Sequence, residues 1–248
     1  MLSKNTVKFI KSLQQKKFRK QEMAFFVEGA KNVTELLLSD FNISHLLFTD
    51  RYLSEQPDLI ERFEGEKIRT TAAELRRIGT FSSNEHALAV ADIKPNLPVK
   101  IKPGELVLAL DDVRDPGNLG TIIRIADWYG IEKILLSPET ADLYNPKVLH
   151  ASMGSFSRIS FQYVDLAEKL AGLNLPVYGA FLEGDSLHDF NGQATGILLM
   201  GNESKGIRPE LHTLISRKLT IPGFGAAESL NVAIATAVFC DNFRRLAN

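Results

Sequence analysis

ELVLALDDVRDPGNLGTIIRIAD, residues 105–127, is the stretch that decides how the chain is built. Its first nine residues form a nearly continuous apolar run, the mark of a strand buried on both faces. Pro116-Gly117 then signals a turn, and GTIIRIADWYG carries apolar residues at helical spacing. A buried strand, a polar loop and a helix in that order make up half of a βαβ unit. Working outward, IEKILLS, RISFQYV, LPVYGAFLE, TGILLMG and RKLTIP read as further strands, with helical stretches between most of them. The tail, SLNVAIATAVFCDNFRRLAN, reads as a closing helix. The expectation for residues 105–248 is a mostly parallel sheet covered by helices.

Upstream the pattern is shorter and more mixed. Val7, Ile10 and Leu13 form one helical stripe, followed by AFFVEG as a strand and AKNVTELLLS as a helix. HLLFT, EKIRT and HALAVADI read as strands, with PDLIERFEG and TAAELRRIG as helices between them. Residues 1–93 thus read as a small α/β domain. IKPNLPVKIKPG follows, with three prolines and three lysines, so residues 94–104 read as the linker.

Composition narrows the function classes. At 44% hydrophobic and 24% charged residues, the 248-residue chain is an ordinary globular one. No apolar run approaches the roughly 18 residues that a membrane span needs. The basic start lacks the apolar core of a signal peptide, so a cytoplasmic protein is expected. A single cysteine, Cys240, excludes an internal disulfide and a multi-cysteine metal site, and its apolar neighbours suggest packing. Net charge is −1, but residues 1–21 carry seven basic side chains and no acid. Such an arm can neutralise phosphates or simply form a solvated helix face. Its Lys16, Lys17, Arg19 and Lys20 are the candidates for contact with nucleic-acid phosphates.

Ligands of open α/β sheets bind beyond the carboxyl ends of the strands. Three such ends here are polar or glycine-rich. After the first strand, Asn118 is expected in a loop and Arg124 on the first turns of the helix. Arginine is unfavourable near a helix N-terminus, so it either grips a phosphate or carboxylate or lies free on the surface. In ILLMGNESKGI, residues 197–207, a strand runs straight into Gly201-Asn202-Glu203 and Gly206. Glycine there permits close backbone approach to a ligand, and Glu203 is either a helix-start carboxylate or an acceptor in the site. In IPGFGAAESLNVAIATA, residues 221–237, Gly223 and Gly225 give a pliable loop, and Ser229 or Asn231 could cap the next helix. A dinucleotide fingerprint is incomplete, because Glu228 stands where the third glycine would be.

Together, Asp115-Pro116-Gly117-Asn118-Leu119-Gly120 with Arg124, Gly201-Asn202-Glu203 with Gly206, and Ile221-Pro222 with Ser229-Leu230-Asn231-Val232 resemble the SpoU, or TrmH-like, family of RNA ribose 2′-O-methyltransferases in the SPOUT class. KKFRKQEMAFFVEGAKNV also resembles that family's small substrate-binding domain. The resemblance implies a catalytic domain with a deep trefoil knot, a homodimer, and S-adenosylmethionine as methyl donor without a metal. It implies structured RNA as substrate, ribosomal RNA ahead of transfer RNA. Carried over by motif, Gly201, Ile221 and Leu230 would line the cofactor pocket, and Arg124, Asn118, Glu203, Ser229 and Asn231 would form the catalytic set. His150 departs from the pattern, standing where many relatives would have arginine, and reads as structural. Two competing readings are an RNA-binding protein that keeps the fold without catalysis and a nucleotide-dependent doubly wound enzyme. Specific uptake of S-adenosylmethionine would argue against both.

Overall fold

The computed structural model describes residues 2–247 and separates into two compact units. One comprises Met1–Pro95 with Asp142–Arg158; the other comprises Asn96–Ala141 with Ile159–Asn248. Composition alone placed a boundary near residue 93; the packing additionally assigns a seventeen-residue excursion from the second half to the first unit.

In the first unit, α1 (Lys4–Ser12) starts at Ser3, whose hydroxyl accepts from the Thr6 amide, and α2 (Lys16–Glu22) follows almost at once. β1 (Ala24–Glu28) is buried along its length, and α3 (Ala30–Leu37) follows it. β2 (Ile43–Phe48), α4 (Asp50–Glu55), α5 (Pro57–Arg62), β3 (Glu66–Arg69), α6 (Ala72–Ile78) and β4 (Ala87–Asp92) complete the N-terminal run. The strands form a mixed sheet ordered β1-β4-β2-β3. β4 is antiparallel to both neighbours, and β2 is parallel to β3. The α1 stripe does what its spacing predicts: Ile10 and Leu13 are fully buried against Phe26, Leu47, Leu75, Ile78, Leu88 and Val90. A reciprocal capping box between Thr71 and Glu74 starts α6.

α2 revises one expectation. Lys16, Lys17 and Lys20 are exposed, but Arg19 is buried and cannot meet RNA. Its guanidinium donates to the Leu13 and Gln14 carbonyls at 2.8 and 2.9 Å and to the Asp142 carboxylate at 2.5 Å. A seven-residue helix between two buried elements must turn one side inward, and the fourth residue of α2 lies on that side.

The second unit carries a fully parallel six-stranded sheet, ordered β10-β8-β9-β5-β6-β7. β5 (Leu106–Leu110) is wholly buried, and α7 (Pro116–Trp128) and β6 (Lys133–Leu136) follow. The excursion to the first unit carries α8 (Pro146–Ser152). The chain returns through β7 (Ser160–Tyr163), α9 (Leu166–Ala171), β8 (Val177–Ser186), β9 (Gly196–Met200) and β10 (Arg217–Thr220), and ends on α10 (Val232–Ala247). The core beneath β5 and β9 joins Val107, Ala109, Leu135, Ile197 and Leu199 to Leu166, Leu170, Ile207 and Leu211. Cys240 is buried, and that burial pushes its thiol up to about 12, so it remains a neutral packing group. No helix of the described residues is long and apolar enough to cross a membrane.

α8 and its flanks belong to the first unit by contact. Leu143, Val148, Leu149 and Phe156 are buried there. Phe25 meets Tyr144 at 4.6 Å and Phe156 at 6.0 Å between ring centroids. His150 is exposed at the last turn of α8 and packs edge-on to Phe81 at 4.2 Å. No acid is paired with it among the described residues, in keeping with a packing role.

Candidate functional site

β5 and β9 are parallel neighbours, and the chain leaves them in opposite directions across the sheet: β5 leads to β6, while β9 is entered from β8 on the other side. This is a topological switch point, the crevice where open parallel sheets bind ligands. Three segments emerge around it, one from each polar strand end singled out by sequence.

The first begins at Asp115, whose carboxylate accepts the Asn118 amide at 2.8 Å and caps α7, with Pro116 in the first turn. Asn118 therefore lies inside the first helical turn, not in a loop before it. The second follows β9. Asn202 and Gly206 exchange backbone hydrogen bonds at 3.0 Å in both directions, and the Asn202 carbonyl oxygen of the side chain accepts the Ser204 and Lys205 amides at 2.9 and 3.0 Å. Glu203 is carried on this closed turn and starts no helix. The third precedes α10. Asn231, the candidate cap, accepts the Ala233 and Ile234 amides at 2.9 and 3.3 Å.

Side chains then tie the three segments together. Asn118 Nδ2 donates to Glu203 Oε1 at 2.9 Å, and Asn231 Nδ2 donates to Asn118 Oδ1 at 2.9 Å. The carboxylate only accepts, so it obliges Asn118 to turn its amide nitrogen toward Glu203 and its oxygen toward Asn231. Three of the five candidate catalytic residues thus form one directional chain across 113 residues of sequence.

The other two stand apart. Ser229 is exposed in the loop before α10 and makes no hydrogen bond among the described residues. Arg124 is the ninth residue of α7, beyond the first turns, so the helix dipole gives no reason for or against it there. Six residues past Asn118, it lies about 9 Å further along the axis and about 120° around it. Its side chain is exposed and unpaired among the described residues.

Of the candidate cofactor residues, Gly201 is compact for an internal reason. A Cβ there would stand 2.4 Å from the Gly206 carbonyl carbon and 2.4 Å from the Ile207 nitrogen. The approach that glycine permits is made by the chain's own turn. Gly201→Val is therefore expected to cost about 3 kcal/mol through overpacking against backbone. That corresponds to a melting temperature lower by roughly 6–12 °C, measurable by calorimetry. An unchanged Tm would show that the turn moves aside without cost.

Ile221 and Leu230 bracket an open loop. Among the described residues, no group of residues 221–230 forms a hydrogen bond, so its main-chain donors and acceptors are without protein partners. Leu230 is 50% exposed and Phe224 92% exposed, which offers apolar contact, and Gly223 and Gly225 border open space.

Sequence reasoning passed over two residues at this site. Asp111, directly after β5, is completely buried and bonded to Arg208. A carboxylate following five buried apolar residues is the signal that could have found it. Among the described residues, no group of three or more His, Cys, Asp or Glu side chains gathers as a metal site.

A parallel sheet with amide and carboxylate side chains at its switch point, and an exposed loop with apolar side chains beside them, is the arrangement of a ligand-binding α/β domain. Comparison with known proteins narrows it. Residues 105–241 match the SpoU rRNA methylase family and residues 4–89 the MRM3-like substrate binding domain, and the chain belongs to the SpoU rRNA methylase family. It is 31% identical over 245 residues to the 23S rRNA (guanosine(2553)-2′-O)-methyltransferase RlmP of Bacillus subtilis, covering 96% of this chain and 95% of that one. Among solved structures, a TrmH-family protein from Porphyromonas gingivalis is 39% identical with a TM-score of 0.86, covering 99% of both chains. The AdoMet-bound rRNA methyltransferase from Sinorhizobium meliloti is 29% identical with a TM-score of 0.87, covering 99% of this chain and 96% of that one.

Proposed function

We propose that this chain methylates a ribose 2′-hydroxyl of ribosomal RNA with S-adenosylmethionine. The observation that carries this reading is the Glu203–Asn118–Asn231 hydrogen-bond chain at the switch point, in a member of a family whose relatives include 23S rRNA 2′-O-methyltransferases. Gly201, Ile221 and Leu230 would hold the cofactor, largely through main-chain groups of the loops they lie on. When bound, it supplies a methyl group already activated by its sulfonium.

What remains for the protein is to place a weakly acidic hydroxyl against that methyl. Arginine stays protonated to about pH 12 and beyond, so Arg124 is a poor general base. Its exposed guanidinium instead grips the phosphate beside the target ribose and stabilises negative charge developing on the attacking oxygen. Asn118 and Asn231, each with an N–H left over, position the ribose, and Glu203 holds Asn118 in register. Ser229 completes the set from the loop. Transfer RNA is the second substrate to test.

A trefoil knot in the second unit is part of the reading, supported by membership of the SpoU family. A homodimer is also part of the reading. Val232 and Phe239 on α10 are buried within one subunit, so we assign the seam to Trp128 on α7, 83% exposed, and Ile234 on α10, 54% exposed. We place the reaction in the cytoplasm.

The test is methylation of ribosomal RNA from cells lacking the gene, with labelled S-adenosylmethionine and mapping of 2′-O-methyl positions. One new ribose methyl is the expected result; labelled base or no label would refute the reading. RNA binding should also depend on α2. Replacing Lys16, Lys17 and Lys20 together by alanine should reduce the slope of log K against log salt by about 2–3, as expected for three lost phosphate contacts. A slope unchanged in a salt titration would make those lysines a solvated face.

A further inference from the structure

Asp111 has no exposed surface, yet both of its oxygens are engaged by a single residue. The Arg208 main-chain N–H donates to Oδ2 at 2.8 Å, and Arg208 Nε donates to Oδ1 at 2.7 Å. The next residue, Asp112, has the left-handed φ of 58°, and its carbonyl accepts Asn202 Nδ2 at 2.7 Å. Its amide in turn donates to Ser137 Oγ at 2.9 Å. The turn after β9 is therefore tied at both ends, through Asn202 and Arg208, to two consecutive residues at the end of β5. Glu203 sits on the span between those ties.

A buried carboxylate is expensive, and a buried ion pair contributes little to stability that apolar packing could not replace. What such a pair can supply is direction. Both donors of Arg208 converge on one rigid acceptor at the end of a central strand, so the turn has one position relative to β5. Asn118 is fixed to the same strand end through the Asp115 cap. The distance between Glu203 and Asn118 is then set by two anchorages that both begin within five residues of Leu110.

We infer that Asp111 and Arg208 are positioning residues for the methyl-transfer reaction, acting through Glu203 and, by way of it, on Asn118. The inference rests on the reading of Glu203 as part of the catalytic set. Asp111→Asn keeps the shape but removes the charge and leaves an amide nitrogen facing a donor. A displacement of the turn by a fraction of an ångström to an ångström should lower kcat by about 100-fold. The apparent KM for RNA should stay within about threefold, because no RNA contact is removed.

The decisive measurement is a double-mutant cycle in kcat, using ribosomal RNA from cells lacking the gene and labelled S-adenosylmethionine. If Asp111 acts through Glu203, adding Asp111→Asn to Glu203→Gln should cause little further loss. Arg208→Lys keeps the main-chain bond and loses the Nε bond, so it should cost about tenfold and be masked in the same way. It also carries the cycle if Asp111→Asn fails to fold. Losses that multiply, or an Asp111→Asn protein with normal kcat, overturn the positioning role. A Glu203→Gln protein at the normal rate overturns the catalytic reading itself, and the positioning role with it.

Discussion

Arg124→Ala is expected to lower kcat for methyl transfer by about 100- to 1,000-fold, the scale of losing one group that stabilises charge in a transition state. S-adenosylmethionine affinity should remain within a few-fold. The side chain lies on the exposed surface of α7, about 9 Å along the helix from Asn118, and makes no hydrogen bond or ion pair with the 201–207 turn or the loop before α10 among the described residues. It is free to meet a ligand and takes no part in building the site, so its removal should leave the fold intact. Arg124→Lys keeps the charge but loses the planar fork that grips a phosphate with two parallel hydrogen bonds. It should recover little of the rate. Steady-state kinetics with calorimetric titration of the cofactor checks both variants, and near-normal turnover by the lysine protein would rule out a bidentate role.

The second large effect concerns separating the halves. Residues 105–248 read as a domain that could fold and bind cofactor alone. The packing of Asp142–Arg158 changes that expectation. Leu143, Val148, Leu149 and Phe156 are buried in the first unit, where Phe156 packs on Phe25, and Asp142 and Arg158 are ion-paired to Arg19 and Glu35. A fragment of residues 101–248 would expose those four apolar side chains. At about 1.5–3 kcal/mol each, the loss is about 6–12 kcal/mol, comparable to the whole stability of a typical domain. The fragment should aggregate or lack a cooperative melt, and replacing 142–158 by a short glycine-serine linker should restore one. A cooperative melt of the unmodified fragment near that of the full chain would refute this.

The parallel sheet was legible because strands buried on both faces need unbroken apolar runs, and LVLAL, KILL and GILLM have no other economical use. The three polar strand ends were legible for the complementary reason. Asn118 and Glu203 follow buried apolar strands, Asn231 ends a polar and glycine-rich loop after the last strand, and the family resemblance gave each a role. Local chemistry offered Asn231 or Ser229 as a cap before an apolar helical run, but the Asp115 cap was missed, because Pro116-Gly117 reads as a turn and not as the first residues of a helix.

What sequence could not determine is which distant groups meet. Arg19 has the composition of its basic neighbours, and only the fold of α2 against Asp142 makes it a buried anchor while Lys16, Lys17 and Lys20 face solvent. Glycine at 201 says that some backbone comes close, and only the fold shows the Gly206 turn doing so. Residues 142–158 carry no local mark of belonging to another unit. Each of these depends on pairings between residues far apart in the chain, whose free energy comes from burial and from hydrogen bonds that no single segment contains. The chain's own residues state which groups are polar, charged or apolar, and at what spacing. Only the tertiary structure decides which of those charges is neutralised inside and which is left free for RNA.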